Sequence, residues 1–425
     1  MKTIASIAAE LQGYDPQALR ASAVGDFLSR LVEPVAAQET ATIFDALGRV
    51  LAKDVISPIS VPPHDNSAMD GYAFDGRQLE SPAAAGQALV LQVLGTALAG
   101  KAWQGAIGAG ECLKIMTGAI LPHGLDTVVP QEFVTVHATG ISFPADLLQI
   151  GANRRRLGED LMQGQPALRK GDLLTPAALG LLASLGIGQV PVLRRLRVAY
   201  FSTGDEILSL GEAPREGAVF DSNRYTVFGL LRRLGCELID MGVVRDEPAL
   251  LEAAFTQASK VADAIITSGG VSVGEADYTK LMMKKLGDVA FWKIAMRPGR
   301  PMAVGRIGKS ILFGLPGNPV AVMVTFLAFV RPALLQMMGS TVNAPPLLKA
   351  HSLDPLRKKP GRTEYQRGTV SNAADGSLQV RAIGNQGSGV LSSMVHANGL
   401  IVLQHSQGNV AAGEEVDVMM FDGVI

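Results

Sequence analysis

Hydrophobic and polar positions change rhythm three times along the chain. Over residues 26–57 apolar side chains recur at helical spacing, Phe27, Leu28, Leu31 and Val32 followed by Phe44, Leu47 and Leu51, which predicts helix. Between about 62 and 150 the rhythm shortens to alternating runs broken by glycine, at 88–93, 111–115 and 127–129, which predicts an inserted β-rich unit. From about 194 strand-like and helix-like runs alternate, the pattern of a parallel α/β sheet. Strands are expected at 196–202, 237–244, 263–267 and 310–315, and helices at 223–235, 247–260, 276–286 and 318–338. Asn318-Pro319 opens the last helix with a capping residue and a proline at the first helical position. Pro345-Pro346 breaks the pattern, and 347–425 reads as short strands between Gly, Asn and Asp turns, a small β-barrel or sandwich. The predicted class is multidomain α/β plus β. An N-terminal mixed region (1–193, with its β-rich unit at about 62–150) precedes an α/β domain (194–342) and a small β-barrel (343–425).

Composition narrows the function. The chain has 425 residues, 48% of them hydrophobic, enough for several cores. Its 38 basic and 39 acidic residues leave a formal charge of −1, without the basic excess of a nucleic-acid binder. Local basic clusters occur at Arg154–Arg155–Arg156, Arg297/Arg300 and Arg357-Lys358-Lys359, and position must decide whether they meet anions. Two cysteines, Cys112 and Cys236, form no metal or disulfide pattern, and six scattered histidines show no zinc spacing. The uncharged stretch 173–192 contains Pro176, Gly186 and Pro191 and reads as a helix, a glycine stop and a strand. The apolar run 320–330 is too short to cross a bilayer. The N-terminus carries neither a cationic start nor a signal-like apolar core. A cytoplasmic protein without a membrane partner is expected.

The candidate chemistry gathers where the predicted strands end, the place where open α/β sheets bind ligands. Ser202-Thr203-Gly204-Asp205-Glu206 follows the first strand and Arg245-Asp246-Glu247 the second. Thr267-Ser268-Gly269-Gly270-Val271-Ser272 and then Glu275 and Asp277 follow the third, and Pro316-Gly317-Asn318 the last. Each segment alone could be a connecting turn. Together, the hydroxyls and bare N–H groups of Ser202, Thr203, Ser268, Gly269 and Gly270 suit phosphate oxygens. Asp205, Glu206, Asp246, Glu275 and Asp277 supply hard oxygen ligands for Mg²⁺. They are more than one ion needs, so some orient substrate or cap helices. Asp221-Ser222-Asn223 reads as a plain helix N-cap, with a second role at the same edge left open.

Several segments resemble, in order, the signatures of the MoeA family of molybdopterin molybdenumtransferases. They include Pro62-Pro63-His64-Asp65-Asn66-Ser67-Ala68-Met69-Asp70-Gly71-Tyr72-Ala73, Met116-Thr117-Gly118-Ala119 and Arg154-Arg155-Arg156-Leu157-Gly158-Glu159-Asp160. The strand-end loops above, Leu315-Pro316-Gly317-Asn318-Pro319 and Gln366-Arg367-Gly368 complete the series. The resemblance implies insertion of molybdate into adenylylated molybdopterin with Mg²⁺ and release of AMP, by positioning and electrostatics rather than a protein nucleophile. It implies anion or pterin contacts from Lys293, Arg297, Arg300, Arg367 and Ser388, and substrate contacts from Gly204, Ser272, Pro316, Gly317, Asn318 and Pro319. It also implies a homodimer that places Asp70, Thr117 and Asp160 across a shared cleft, and a transient contact with the adenylyltransferase that supplies the substrate. The family commonly reads K-P-G-K-P where this chain has Arg297-Pro298-Gly299-Arg300-Pro301, a planar fork for a compact ammonium. Two alternatives share the fold type: the adenylyltransferase itself, normally a single α/β domain, and a non-enzymatic scaffold like the gephyrin E domain. The additional domains argue against the first, and the carboxylates at the sheet edge against the second.

Overall fold

A computed structural model describes residues 2–80, 88–271, 278–341 and 346–421. The chain divides into two compact units, one of Met1–Ala52, Gly171–Thr175 and Gln189–Ile425, the other of Lys53–Lys170 and Pro176–Gly188.

The larger unit is built on a six-stranded sheet: β1 (Arg197–Thr203), β2 (Glu237–Val244), β3 (Ala264–Ser268), β4 (Gly287–Lys293), β5 (Pro301–Ile307) and β6 (Ser310–Leu315). Their order is β2-β1-β3-β6-β5-β4. The first four of that order run parallel, as the alternating pattern predicts. β5 and β4 extend the sheet antiparallel, an edge the sequence pattern did not announce. The helices are α1 (Ser222–Leu234), α2 (Pro248–Val261), α3 (Tyr278–Leu286) and α4 (Pro319–Met337). Residues of β1 alternate between two cores, Val198 and Tyr200 facing one and Ala199 and Phe201 the other. α1 and α4 pack into the first core and α2 and α3 into the second. Because β2 and β3 flank β1 on opposite sides, the chain reverses direction at β1/β3, the switch point where α/β sheets open a crevice.

α4 is 19 residues long and apolar enough to cross a membrane by length and composition, but 78% of it is buried in protein, so it is a core helix. Its middle turn, Phe326–Val330, winds as a π-helix. The expected helix over 26–57 is corrected. One helix ends at Leu31, and Gln38–Thr42 is a strand paired antiparallel with Gln189–Leu193. Phe44 and Leu47 stand exposed in turns, so their helical spacing is coincidental. The helices Ile4–Glu10 and Ala21–Leu31 cover the first core, where Phe27 meets Trp292 edge to face at 4.9 Å.

After α4 the strands Leu348–Ser352, Thr363–Asn372, Leu378–Ala382, Gly399–Leu403 and Glu415–Met420 close into a five-stranded barrel, since Thr363–Asn372 also pairs with Gly399–Leu403. The two-residue strand Met296–Arg297 adds to it, Arg297 lying opposite Glu364. The smaller unit holds a six-stranded sheet with an apolar cluster on each face.

Candidate functional site

At the carboxyl ends of β1 and β3 lies a cleft of about 930 Å³. Its floor follows from the sequence of the strand ends. Ser202, the last residue but one of β1, pairs directly with Ser268, which ends β3. The Tyr200 hydroxyl sits 2.8 Å from Ser202 Oγ and 2.7 Å from Ser268 Oγ, closing a ring of three buried hydroxyls. Burial pushes the Tyr200 phenol well above its ordinary range, so it stays protonated. The glycines beside this floor are required. Gly269 has φ +90°, and a Cβ there would collide with the Thr203 carbonyl oxygen. Gly270 has φ +63°, and its Cβ would lie 2.5 Å from Thr279 Cβ.

One wall belongs to α1. Asp221 caps the helix, Oδ1 accepting from Arg224 N at 3.0 Å, as its N-cap sequence predicts. Asn223 donates from Nδ2 to the Gly317 carbonyl at 2.7 Å, tying α1 to the loop before α4. Pro316, Gly317, Asn318 and Pro319 bring the start of α4 into the lining, with its partial positive charge. Asn318 makes no side-chain cap bond, and Val320 N instead donates to Ser388 O at 3.1 Å.

The opposite wall is cationic. Arg297 and Arg300 flank the Pro298-Gly299 turn and are exposed to the cleft. Arg362, from the barrel, joins them with its Nε held at 2.8 Å by Glu364, a carboxylate only 2% exposed. Among the described residues neither Arg297 nor Arg300 pairs with a carboxylate, so on this wall only Arg362 has a carboxylate partner, Glu364; Glu206 and Asp221 line the cleft elsewhere. Ser388 and Gln386 complete this side.

The structure thus brings together Ser202, Thr203, Glu206, Ser268, Gly269, Gly270, Arg297, Arg300, Pro316, Gly317, Asn318, Pro319 and Ser388. Gly204, Asp205 and Asp246 stand at the same sheet edge outside the lining, Asp246 N donating to Asp205 Oδ1 at 3.2 Å. Lys293 ends β4, exposed and outside the lining. Arg367 does not line the cleft either. It is 1% exposed, with Nε on Ser393 Oγ at 3.0 Å and Nη2 on the carbonyls of Asn385 and Gly387 at 3.2 and 3.0 Å. Its donors therefore hold the loop that carries Ser388. Burial and then the Arg297 charge bring its pKa down to about 10, so it remains charged at neutral pH.

In the smaller unit, Thr117 donates from both N and Oγ1 to Asp70 Oδ1 at 2.7 Å, which holds that carboxyl below its usual range. Asp160 is exposed in the same unit. Ser272, Glu275 and Asp277 lie outside the described residues. Sequence reasoning missed Arg362 and Gln386 and gave Asn223 no definite role. The Asp-Ser-Asn signal reads as a cap with a second role left open, and nothing local marks an arginine that reaches the cleft from the barrel.

Three family models match in series: the MoeA N-terminal region (domain I and II) over residues 19–186, a probable molybdopterin binding domain over 199–336, and the MoeA C-terminal region (domain IV) over 349–421. A molybdopterin molybdenumtransferase of Haemophilus influenzae is 43% identical over 382 residues, covering 90% of this chain and 93% of that one. The chain belongs to the MoeA family. Another member, a molybdopterin molybdenumtransferase of Nostoc sp., is 34% identical over 93% of this chain and 92% of its own. Among solved structures, a molybdopterin biosynthesis MoeA protein of Pyrococcus horikoshii superposes with TM-score 0.80 at 27% identity, covering 95% of this chain and 100% of that one. The MoeA match spans both the strand-end loops and the barrel that supplies Arg362.

Proposed function

We propose that this chain is a molybdopterin molybdenumtransferase: it inserts molybdate into adenylylated molybdopterin and releases AMP, in the cytoplasm and with Mg²⁺. The observation that carries this reading is the polarity of the cleft. Three guanidinium groups, of which only Arg362 is paired with a carboxylate, stand with a floor of hydroxyls and glycine N–H groups at the β1/β3 switch point in one cleft. Such a cleft suits two anionic groups at once, a phosphoanhydride on the floor and a tetrahedral oxyanion at the arginines. The substrate provides the sulfur ligands, which accords with two cysteines that are both buried and unpaired. Burial raises both thiols to about 12, so neither is a thiolate at neutral pH.

Asp205 and Asp246, neighbours at the sheet edge, fit a Mg²⁺ that arrives on substrate phosphates, because that ion uses one or two carboxylates plus phosphate oxygens. The bound ion would neutralise anhydride charge. Lys293 adds a cation at the same strand-end edge, Arg367 fixes the Ser388 loop, and the remaining lining residues orient the substrate. We assign the three regions 1–193, 194–342 and 343–425 as N-terminal, substrate-binding and barrel domains, on the pattern change near 194 and the Pro345-Pro346 break. By family resemblance the enzyme is a homodimer in which Asp70, Thr117 and Asp160 act on the cleft of the second copy, and it receives its substrate from an adenylyltransferase. One experiment tests metal and dimer together. Asp246→Ala and Asp70→Ala proteins are each expected to be inactive in AMP release, and mixtures after subunit exchange to regain part of the activity. Activity in either single variant, or no recovery after proven exchange, contradicts the assignment.

A further inference from the structure

Three buried polar atoms at the cleft lack partners: Thr203 Oγ1, Asp221 Oδ2 and Asn223 Oδ1. Their residues are 3%, 4% and 8% exposed and all line the cleft. Buried polar groups in folded proteins are almost always paired, so a cluster of orphans at one wall marks missing contacts. The geometry fixes what kind. Asp221 spends Oδ1 on the cap of α1, leaving Oδ2. Asn223 spends Nδ2 on the Gly317 carbonyl, which sets the amide so that its oxygen is the free end. A carboxylate oxygen and an amide oxygen, two residues apart on the first turn of a 13-residue helix, can only accept. Two acceptor oxygens side by side suit a partner that presents adjacent hydrogen-bond donors.

We propose that Asp221 and Asn223 recognise the pterin ring of the substrate through its 2-amino group and N3–H, with the Thr203 hydroxyl beside them. This rests on the molybdopterin reading above and adds to it the wall that reads the heterocycle. The acceptor-only wall selects between the two heterocycles of an adenylylated pterin. Pterin presents two adjacent donors, the amino group and N3–H. Adenine presents its amino group beside N1, an acceptor that would face Asp221 and Asn223 with lone pairs. The phosphates and the oxyanion are then left to the glycine floor and the arginine wall.

The test uses the full-length protein and three soluble probes: pterin, lumazine (which has a carbonyl in place of the 2-amino group) and AMP. Asp221→Ser keeps an oxygen able to cap α1 and removes the second oxygen, so the helix start survives. Wild-type protein is expected to bind pterin at least tenfold more tightly than lumazine. Asp221→Ser is expected to lose at least tenfold for pterin while lumazine and AMP change less than twofold. Equal binding of pterin and lumazine by the wild type overturns the proposal and relies on no variant. So does wild-type pterin affinity in Asp221→Ser, or a loss confined to AMP. Molybdate-dependent AMP release by the wild-type protein is scored separately: where it persists but pterin and lumazine bind alike, this wall is wrong and the transferase reading stands.

Discussion

The two walls of the cleft are built by opposite strategies. The wall at β1, β3 and α1 is made of uncharged hydroxyls, glycine backbone and acceptor oxygens, all fixed by hydrogen bonds within the α/β fold. The wall at the Pro298-Gly299 turn is made of long cations, and only Arg362 is held by a buried carboxylate. The first wall has shape and little freedom. The second has charge and reach. A surface tied by internal hydrogen bonds recognises the geometry of a large ligand, whereas guanidinium groups with few internal partners keep their donors for an anion. The difference teaches that substitutions in the two walls act on different quantities, stability and the whole substrate on one side, molybdate alone on the other.

The most disruptive way to test the contrast is Gly269→Ala. Its left-handed φ and the blocked Cβ position predict a local strain of about 1–3 kcal/mol. Displacement of Thr203 and Ser268 should then lower AMP release more than tenfold at any molybdate concentration. A thermal melt and a turnover assay on the same preparation check both effects. Wild-type turnover in this variant would mean that the floor is not rigid.

Arg297 should behave otherwise. Arg297→Ala is expected to weaken molybdate use by about 1.5–3 kcal/mol, the scale of a lost charge-assisted hydrogen bond, with pterin affinity little changed. Arg297→Lys should retain activity with a moderate shift in molybdate affinity. Titrating molybdate at saturating pterin and then the reverse separates the two, and an equal loss on both axes would erase the distinction between the walls.

The smallest effect belongs to Tyr200→Phe. It removes one hydroxyl from the buried ring while Ser202 and Ser268 remain 3.3 Å apart, able to pair with each other. A loss of about 1 kcal/mol in stability is expected, read as a drop of a few degrees in Tm, with turnover within about threefold. A large loss of turnover at unchanged Tm would make Tyr200 a participant rather than a support.

The sequence made the first wall legible and the second only partly so. Short β-branched runs bounded by Ser-Thr-Gly and Ser-Gly-Gly located β1 and β3 to within a residue, because local pattern and chain order suffice for parallel strands. The Asp221 cap and the proline at the start of α4 were equally local signals. Arg362 was not legible, since its place at the cleft depends on barrel closure and on Met296–Arg297 pairing with Thr363–Glu364, contacts more than sixty positions apart. The same holds for Gln38–Thr42, a strand only by virtue of its pairing with Gln189–Leu193. Phe44, 93% exposed, shows how a helical apolar spacing misleads when the segment's partner lies elsewhere in the chain. Arg367 was assigned to the ligand by resemblance, yet its donors are engaged within the barrel, a distinction only three-dimensional packing makes.

The most direct test of the central claim is single-turnover AMP release from adenylylated molybdopterin by the wild-type protein with Mg²⁺, measured with and without molybdate. The account predicts AMP release that rises with molybdate and a molybdenum-loaded pterin as the second product, identified by mass spectrometry. AMP release indifferent to molybdate, or formation of pyrophosphate from ATP and free molybdopterin in its place, would contradict it.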